Sequence, residues 1–539
     1  MRNSEFDRIM PNGVFRLFLA GMPLTLLLGG CASSGTANSP SASAEASVAA
    51  LPPTTESPTP TRTPQPTVVP TLPERITPDA EFRAERPTPE PDPKFEVPKV
   101  QRFKLANGLP VILASDDKLP LVFVQLVVRT GSLADPVGKA GLADLAADML
   151  DEGTKTRSAL EISGAIEQLG ASLSTGADWD YSAVSVSGLT EVMDRALPVW
   201  ADVLLNPAFS EGELERVREN RMAALKRRKD SPTALAAVAF GQAVYGDQHP
   251  LGWPQDGTEA TLPKLSAAEL RAFHEAQFKP ENATLVVAGN MTEAQVKAVI
   301  GPLLGTWKGG AKKPRPVPAV KEPEKTKVFL VDKASAPQSS LRVGLPALPR
   351  KHPDYYKARV MNEILGGSFR RLSLNLREQK GWTYGVYSRF ATHKVPGPWV
   401  VSGEFVADKT APAVQEILSE ITRIRSEDVP APELQEAKDA LVKAFPASFA
   451  TMKQLASQMA GLYVYDLPRD EFESYQKKVA AVSVKDVRDM ARKYLLPEHL
   501  AIVVVGDRAS NAESLGKIAP VELRDADGNR VDEGPKAPE

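Results

Sequence analysis

Gly141-Leu142-Ala143-Asp144-Leu145-Ala146-Ala147-Asp148-Met149-Leu150-Asp151-Glu152-Gly153-Thr154 is the stretch on which the reading of this chain turns. Leu142, Leu145, Ala146, Met149 and Leu150 recur at helical spacing and predict a short helix with one buried face. Asp144 and Asp148 stand four residues apart and so leave that helix on one side. Two carboxylates so placed suit a hard cation such as Ca²⁺ with help from waters, or else form a solvated acidic pair with no ligand.

Outward from this helix, residues 121–128 and 181–187 are runs of strand type, so strands and helices come mixed. The chain is also duplicated. Phe278-Lys279-Pro280-Glu281-Asn282 leads into an apolar run ending at Gly289, and Tyr494-Leu495-Leu496-Pro497-Glu498 leads into another ending at Gly506. Each is a proline turn, a β-rich run and a glycine stop. The pattern predicts an α+β chain of two homologous α/β-sandwich domains, each a mainly antiparallel sheet covered by helices. Their expected bounds are 98–310 and 326–510, joined by a Lys- and Pro-rich linker at 311–325 and followed by a polar tail at 511–539.

The 539 residues are 42% hydrophobic, enough to build proper cores. With 65 basic and 67 acidic residues and no basic run, nucleic acid is excluded as a partner. One cysteine, Cys31, rules out an intramolecular disulfide and a cysteine zinc cluster. It follows the apolar run 17–28, which has the length of a signal-peptide core and is too short to span a bilayer. Leu28-Gly29-Gly30-Cys31 resembles a bacterial lipobox, which implies a signal peptide at 1–30 and an acylated Cys31. Residues 31–97 are dominated by Ser, Thr, Ala, Pro and Glu and read as a disordered tether. The expected location is the bacterial cell envelope, lipid-anchored and facing the periplasm, with the outer membrane favoured over the inner.

Taken with Gly131-Ser132-Leu133 ahead of it, the stretch at 141–154 resembles the zinc-binding helix of the pitrilysin/insulinase family of zinc metallopeptidases, G-x-A-H-x-x-E-H-x-x-x-x-G-T. The likeness continues through Phe209-Ser210-Glu211-Gly212-Glu213-Leu214-Glu215-Arg216, through His249-Pro250-Leu251-Gly252-Trp253-Pro254 and through Gly257-Thr258, and in all spans about 103–507. Against that pattern the two zinc histidines fall on Asp144 and Asp148, the glutamate base on Ala147 and the third ligand on Ala224. A catalytic zinc needs three protein ligands, an open water position and a base. The resemblance therefore implies an inactive homologue with no catalytic residue and no cofactor of its own. The five histidines, His249, His274, His352, His393 and His499, have no spacing that restores a site.

The second half keeps more of the family pattern. Ile364-Leu365-Gly366-Gly367-Ser368-Phe369-Arg370-Arg371-Leu372 runs into Leu376-Arg377-Glu378-Gln379-Lys380-Gly381-Trp382-Thr383-Tyr384-Gly385-Val386-Tyr387. This is similar to the family's C-terminal motif, whose arginine and tyrosine reach toward substrate and here match Arg377 and Tyr384. Guanidinium and phenol both donate hydrogen bonds to a peptide carbonyl. Ordinary alternatives are an Arg377 paired with a neighbouring carboxylate and a Tyr384 packed at a sheet edge, and Gly366-Gly367 and Trp382 read equally as groove or as packing. The resemblance implies a substrate-binding subunit that partners a zinc-bearing H-x-x-E-H protein of the same family around unfolded peptide. The alternative it leaves open is a structural or peptide-binding protein with no part in proteolysis.

Overall fold

The computed structural model describes residues 95–313 and 315–531. The signal peptide, Cys31 and nearly all of the expected tether lie outside the described residues. Two six-stranded sheets organise the rest. The first contains β1 (Gln101–Lys104), β2 (Pro110–Ser115), β3 (Leu121–Val128), β4 (Ser172–Ala177), β5 (Ser182–Leu189) and β6 (Ala283–Gly289), in the order β1-β2-β6-β3-β5-β4. The second contains β7 (Lys327–Asp332), β8 (Gln338–Pro346), β9 (Thr383–Phe390), β10 (Pro398–Val406), β11 (Ala501–Gly506) and β12 (Val521–Arg524), in the order β12-β7-β11-β8-β10-β9. Within both sheets most neighbours are antiparallel; β2 with β6, β7 with β11 and β7 with β12 are parallel.

The two apolar runs that marked the duplication are β6 and β11, and both are buried along their whole length. Their alternate residues face two different cores. Leu285 and Val287 join the core under the first domain's helices, whereas Val286 and Ala288 join a separate cluster. Ile502 and Val504 against Val503 and Val505 divide in the same way. Strands covered on both faces carry unbroken apolar runs, which is why neither showed a polar alternation.

Helices α1 (Leu142–Asp148), α2 (Ala159–Glu167), α3 (Met193–Leu205), α4 (Glu211–Arg228), α5 (Pro232–Tyr245) and α6 (Ala267–Gln277) belong to the first half of the sequence. Five of these contribute to the core of the first domain. The exception is α5, whose Leu235, Ala236, Ala239, Phe240 and Val244 pack on Phe329, Val331, Val400, Ala501, Val503 and Val505 of the second sheet. The helix Met452–Val464 returns the exchange: Leu455, Ala456, Met459 and Ala460 cover Ile112, Phe123, Val127, Val286 and Ala288 of the first sheet. Each domain thus lends a helix to close the open face of the other's sheet, and neither contiguous half of the sequence contains a whole sandwich.

Buried polar contacts reinforce the seam. Asp180 accepts the Lys394 amide at 2.8 Å and the Tyr465 hydroxyl at 3.2 Å, and lies 3.0 Å from His393 Nδ1. The Lys394 ammonium donates to the carbonyls of Arg129 and Asp180.

The expected boundaries need two corrections. Residues Arg508–Gly516 form a helix and Val521–Arg524 form β12 on the second sheet, so the polar tail expected from 511 is domain up to at least Arg524. Four residues are too few for a strand to declare itself by alternation. At the other end Phe95 and Val97, placed in the tether, pack on the exchanged helix's core, with Phe95 edge-on to Phe445 at 5.8 Å. Among the described residues no helix is long and apolar enough to cross a membrane.

Candidate functional site

The helix expected over 142–150 is α1, with Leu142, Ala143, Leu145, Ala146 and Ala147 buried. Its start is fixed by two features. Gly141 has φ +93°, and a Cβ there would stand 2.9 Å from the Gly257 backbone, so only glycine fits. Asp135, buried in the loop before it, accepts the amides of Gly141 at 3.1 Å and Ala143 at 3.0 Å. That carboxylate satisfies helix N-terminal donors that would otherwise be orphaned, while burial pushes its pKa well above the usual carboxylate range. Asp135 was not singled out in the sequence because it lies outside the helix that it caps.

Opposite α1 runs α4, the helix on which the third zinc-ligand position, Ala224, falls. One turn before Ala224, on the same side of α4, Arg221 reaches across to α1. Its Nη1 lies 2.9 Å from Asp144 Oδ2 and its Nη2 pairs with Asp148 Oδ2. The two carboxylates that replace the zinc histidines therefore hold a guanidinium. Burial works against the charge of Arg221, but Asp144 and Asp148 outweigh it and keep its pKa above the ordinary value. Burial also pushes the Asp144 carboxyl up to about 6, against the pull of Arg221.

This arrangement rules out the cation that Asp144 and Asp148 suggested in sequence, since a fixed positive charge already sits between them. Ala147, where the base would be, is core. Ala224 has no ligating atom. No group of three or more His, Cys, Asp or Glu suited to a metal occurs among the described residues. The histidines are spent elsewhere: His274 faces the Leu204 carbonyl at 2.9 Å, His499 the Pro323 carbonyl at 2.6 Å and His393 Asp180.

In the second domain a wide π-helical turn, Leu374–Gln379, carries Arg377 and leads into β9, the edge strand that carries Tyr384. Tyr384 is 89% exposed. Arg377 is partly exposed, with Nε 3.4 Å from the neighbouring Glu378 carboxylate and its guanidinium carbon 5.6 Å from the centre of the Phe369 ring. Phe369 is itself 60% exposed and has φ +54°, a conformation that costs a bulky residue energy. It ends a Gly-Gly-Ser-Phe loop and lies under the Arg377 guanidinium. Arg377 and Tyr384 lie on elements of the second half of the chain, separate from α1 and α4.

Gly366 is a packing residue: a Cβ there would fall 2.0 Å from the Ser388 hydroxyl. Trp382 lies partly buried against the second core beneath the Lys380 ammonium.

Comparison with known proteins agrees with this anatomy. Residues 110–247 match the family model described as insulinase (peptidase family M16), and residues 264–441 match the one described as peptidase M16 inactive domain, together more than half of the chain. A Bacillus subtilis protein named uncharacterized zinc protease YmxG is 24% identical, over 75% of this chain and 98% of the relative. A Helicobacter pylori protein named non-peptidase homolog YmxG is also 24% identical, over 74% and 92%. The crystal structure of a peptidase M16 inactive domain from Pseudomonas fluorescens superposes with a TM-score of 0.70 at 26% identity, covering 76% of this chain and 98% of that one. With its fold, its motif positions and its zinc site closed by Arg221 all accounted for, the chain belongs to the pitrilysin/insulinase family as an inactive homologue of its zinc metallopeptidases.

Proposed function

We propose that this chain is a non-catalytic, lipid-anchored subunit of a heterodimeric envelope metallopeptidase. It binds unfolded peptide and presents Arg377 and Tyr384 to a zinc-bearing, H-x-x-E-H partner of the same family. The observation that carries the reading is a contrast within one chain. The zinc position is filled by a partly buried ion-pair triad, whereas Tyr384 stands almost fully exposed on an edge strand and Arg377 is partly exposed on the turn before it. An exposed tyrosine and a half-exposed arginine contribute little to folding, so their setting fits a role toward something outside the chain. Acylation of Cys31 and the long polar segment after it would hold the body at a membrane surface on the periplasmic side.

The test is peptide hydrolysis by the purified chain with added zinc, alone and mixed with a co-encoded H-x-x-E-H protein. Activity confined to the mixture is expected. Silence in both conditions would shift the reading to a structural or peptide-binding protein, and zinc-dependent activity of this chain alone would overturn it.

A further inference from the structure

Two irregularities of the second domain's backbone converge on one side-chain contact. The first is the loop that follows the helix Tyr355–Gly366. Both of its ends are pinned. A Cβ on Gly366 would strike the Ser388 hydroxyl and one on Gly367 the Glu363 carboxylate, while Arg371 donates to both oxygens of Glu433 at 2.7 Å and Arg370 to Glu436 at 2.8 Å. Between these pins Phe369 takes φ +54° and stands 60% exposed. The residue costs strain and returns little packing, a combination that marks functional positions.

The second is the π-helical turn Leu374–Gln379. Such turns are rare and occur frequently at functional sites. This one is fastened at two points: Asn375 donates to the Glu416 and Glu420 carboxylates at 2.9 and 3.2 Å, and Lys380 pairs with Glu416 at 3.1 Å. The Arg377 guanidinium shares in none of these bonds. Among the described residues its carboxylate partner is Glu378, the next residue in the chain, 3.4 Å away. From outside the turn it is met by the Phe369 ring, whose centre lies 5.6 Å from the guanidinium carbon.

We infer that Phe369 is a positioning residue for Arg377, a ring kept in a strained loop to hold the guanidinium ready for a peptide carbonyl. This deepens the subunit reading above and rests on it. A guanidinium within about 6 Å of a ring centre is attracted by the negative face of the ring. A carboxylate in the same place would neutralise the charge and take up N–H donors. A ring does neither, so Arg377 keeps its charge and its donors for an acceptor. The contact also removes in advance some of the rotamer freedom that a long exposed side chain gives up on binding.

Two measurements on the full chain test this separately. In protein grown on nitrogen-15-labelled arginine, the Nε–H resonance that disappears in Arg377→Lys identifies Arg377. The ring is expected to shift that proton upfield in the wild type and in Phe369→Tyr, and the shift is expected to vanish in Phe369→Leu, which keeps an apolar side chain without the ring. An unchanged resonance in Phe369→Leu would overturn the inference with no partner present. The second measurement is peptide turnover by the mixture with the zinc-bearing partner. Phe369→Leu is expected to lower kcat about twofold to fivefold, the range that an exposed contact of this kind supports. Phe369→Tyr is expected to keep the rate, and Phe369→Leu to add nothing to the loss in Arg377→Ala. Phe369→Gly, which relieves the positive φ, is expected to lower kcat without lowering Tm, a split that a merely structural residue would not give. Turnover in Phe369→Leu equal to the wild type, or the same loss again in the Arg377→Ala background, would overturn the positioning role. A mixture silent with the wild type would instead sink the subunit reading, and the resonance alone would then decide whether Phe369 holds Arg377.

Discussion

Arg221 Nη1 lies 2.9 Å from Asp144 Oδ2, across the gap between α4 and α1 where the family's metal would be held. The lost zinc site is thus closed by a charge of the same sign as the metal. Restoring ligands is then not enough. We expect Asp144→His, Ala147→Glu, Asp148→His and Ala224→Glu together to bind no stoichiometric zinc while Arg221 remains, and to gain it once Arg221→Ala is added. Metal content per chain after dialysis measures this, and full occupancy with Arg221 still present would refute it.

The same triad has a stability signature. Removing Arg221 alone leaves two partly buried carboxylates facing each other, a change expected to cost roughly 2 kcal/mol. Removing Arg221, Asp144 and Asp148 together, each to Ala, is expected to cost less than Arg221→Ala alone. Urea unfolding of the wild type and the two variants checks the order, and a larger loss in the triple variant than in Arg221→Ala would show that the three residues do not act as a unit.

Asp144 also gives a pH dependence. In the folded chain its carboxyl holds a proton up to about pH 6, whereas the unfolded chain releases it near the ordinary value of 3.8. Between these limits the folded state binds more protons, so its stability falls as pH rises through the window. The loss is on the order of 2–3 kcal/mol. Asp151, also pushed up to about 6 by burial, adds a decline of the same sign. Asp144→Asn is expected to keep the Asp151 part and lose the rest, measured as unfolding free energies from about pH 4 to pH 7.

How far the sequence revealed this molecule depends on the range of the interaction involved. The buried face of α1 and the paired apolar runs of β6 and β11 follow from local periodicity, and both were legible. Arg221 was not, because nothing local to α4 indicates that its partners are 73 and 77 residues away on α1. A signal did exist: Arg221 stands three residues before the position aligned with the third ligand, on one helix face with it. For α5 the hint was an alanine-rich helix with no charged residue, which predicts burial all round. That its burial is against the other domain's sheet is a long-range fact that no local pattern encodes. Phe369 could be read only as part of a motif, since its positive φ and its place beneath Arg377 arise from tertiary structure.

Helix exchange makes the two domains one cooperative unit. Phe240 on α5 and Met459 on the returning helix are buried against the opposite sheets. Phe240→Ala and Met459→Ala are each expected to destabilise by about 3–4 kcal/mol and to lower one calorimetric transition that covers the whole body. Halves separated within 311–325 are expected to be insoluble alone and to form a stable complex when co-expressed. A well-folded isolated half would contradict the exchange as the source of stability.

Tyr384 and Arg377 provide the sharpest separation of function from folding. Tyr384 is 89% exposed, and Arg377 makes one loose ion pair and one ring contact. Tyr384→Phe and Arg377→Ala are therefore expected to leave unfolding free energy within about 0.5 kcal/mol of the wild type. If these groups donate to the carbonyl of a peptide held against the partner's zinc, each loss removes a donor aimed at developing negative charge. The expected fall in kcat of the mixed complex is roughly a hundredfold, with peptide affinity changing less. Equal turnover by wild type and both variants, with complex formation intact, would show that the exposed pair has no part in the reaction.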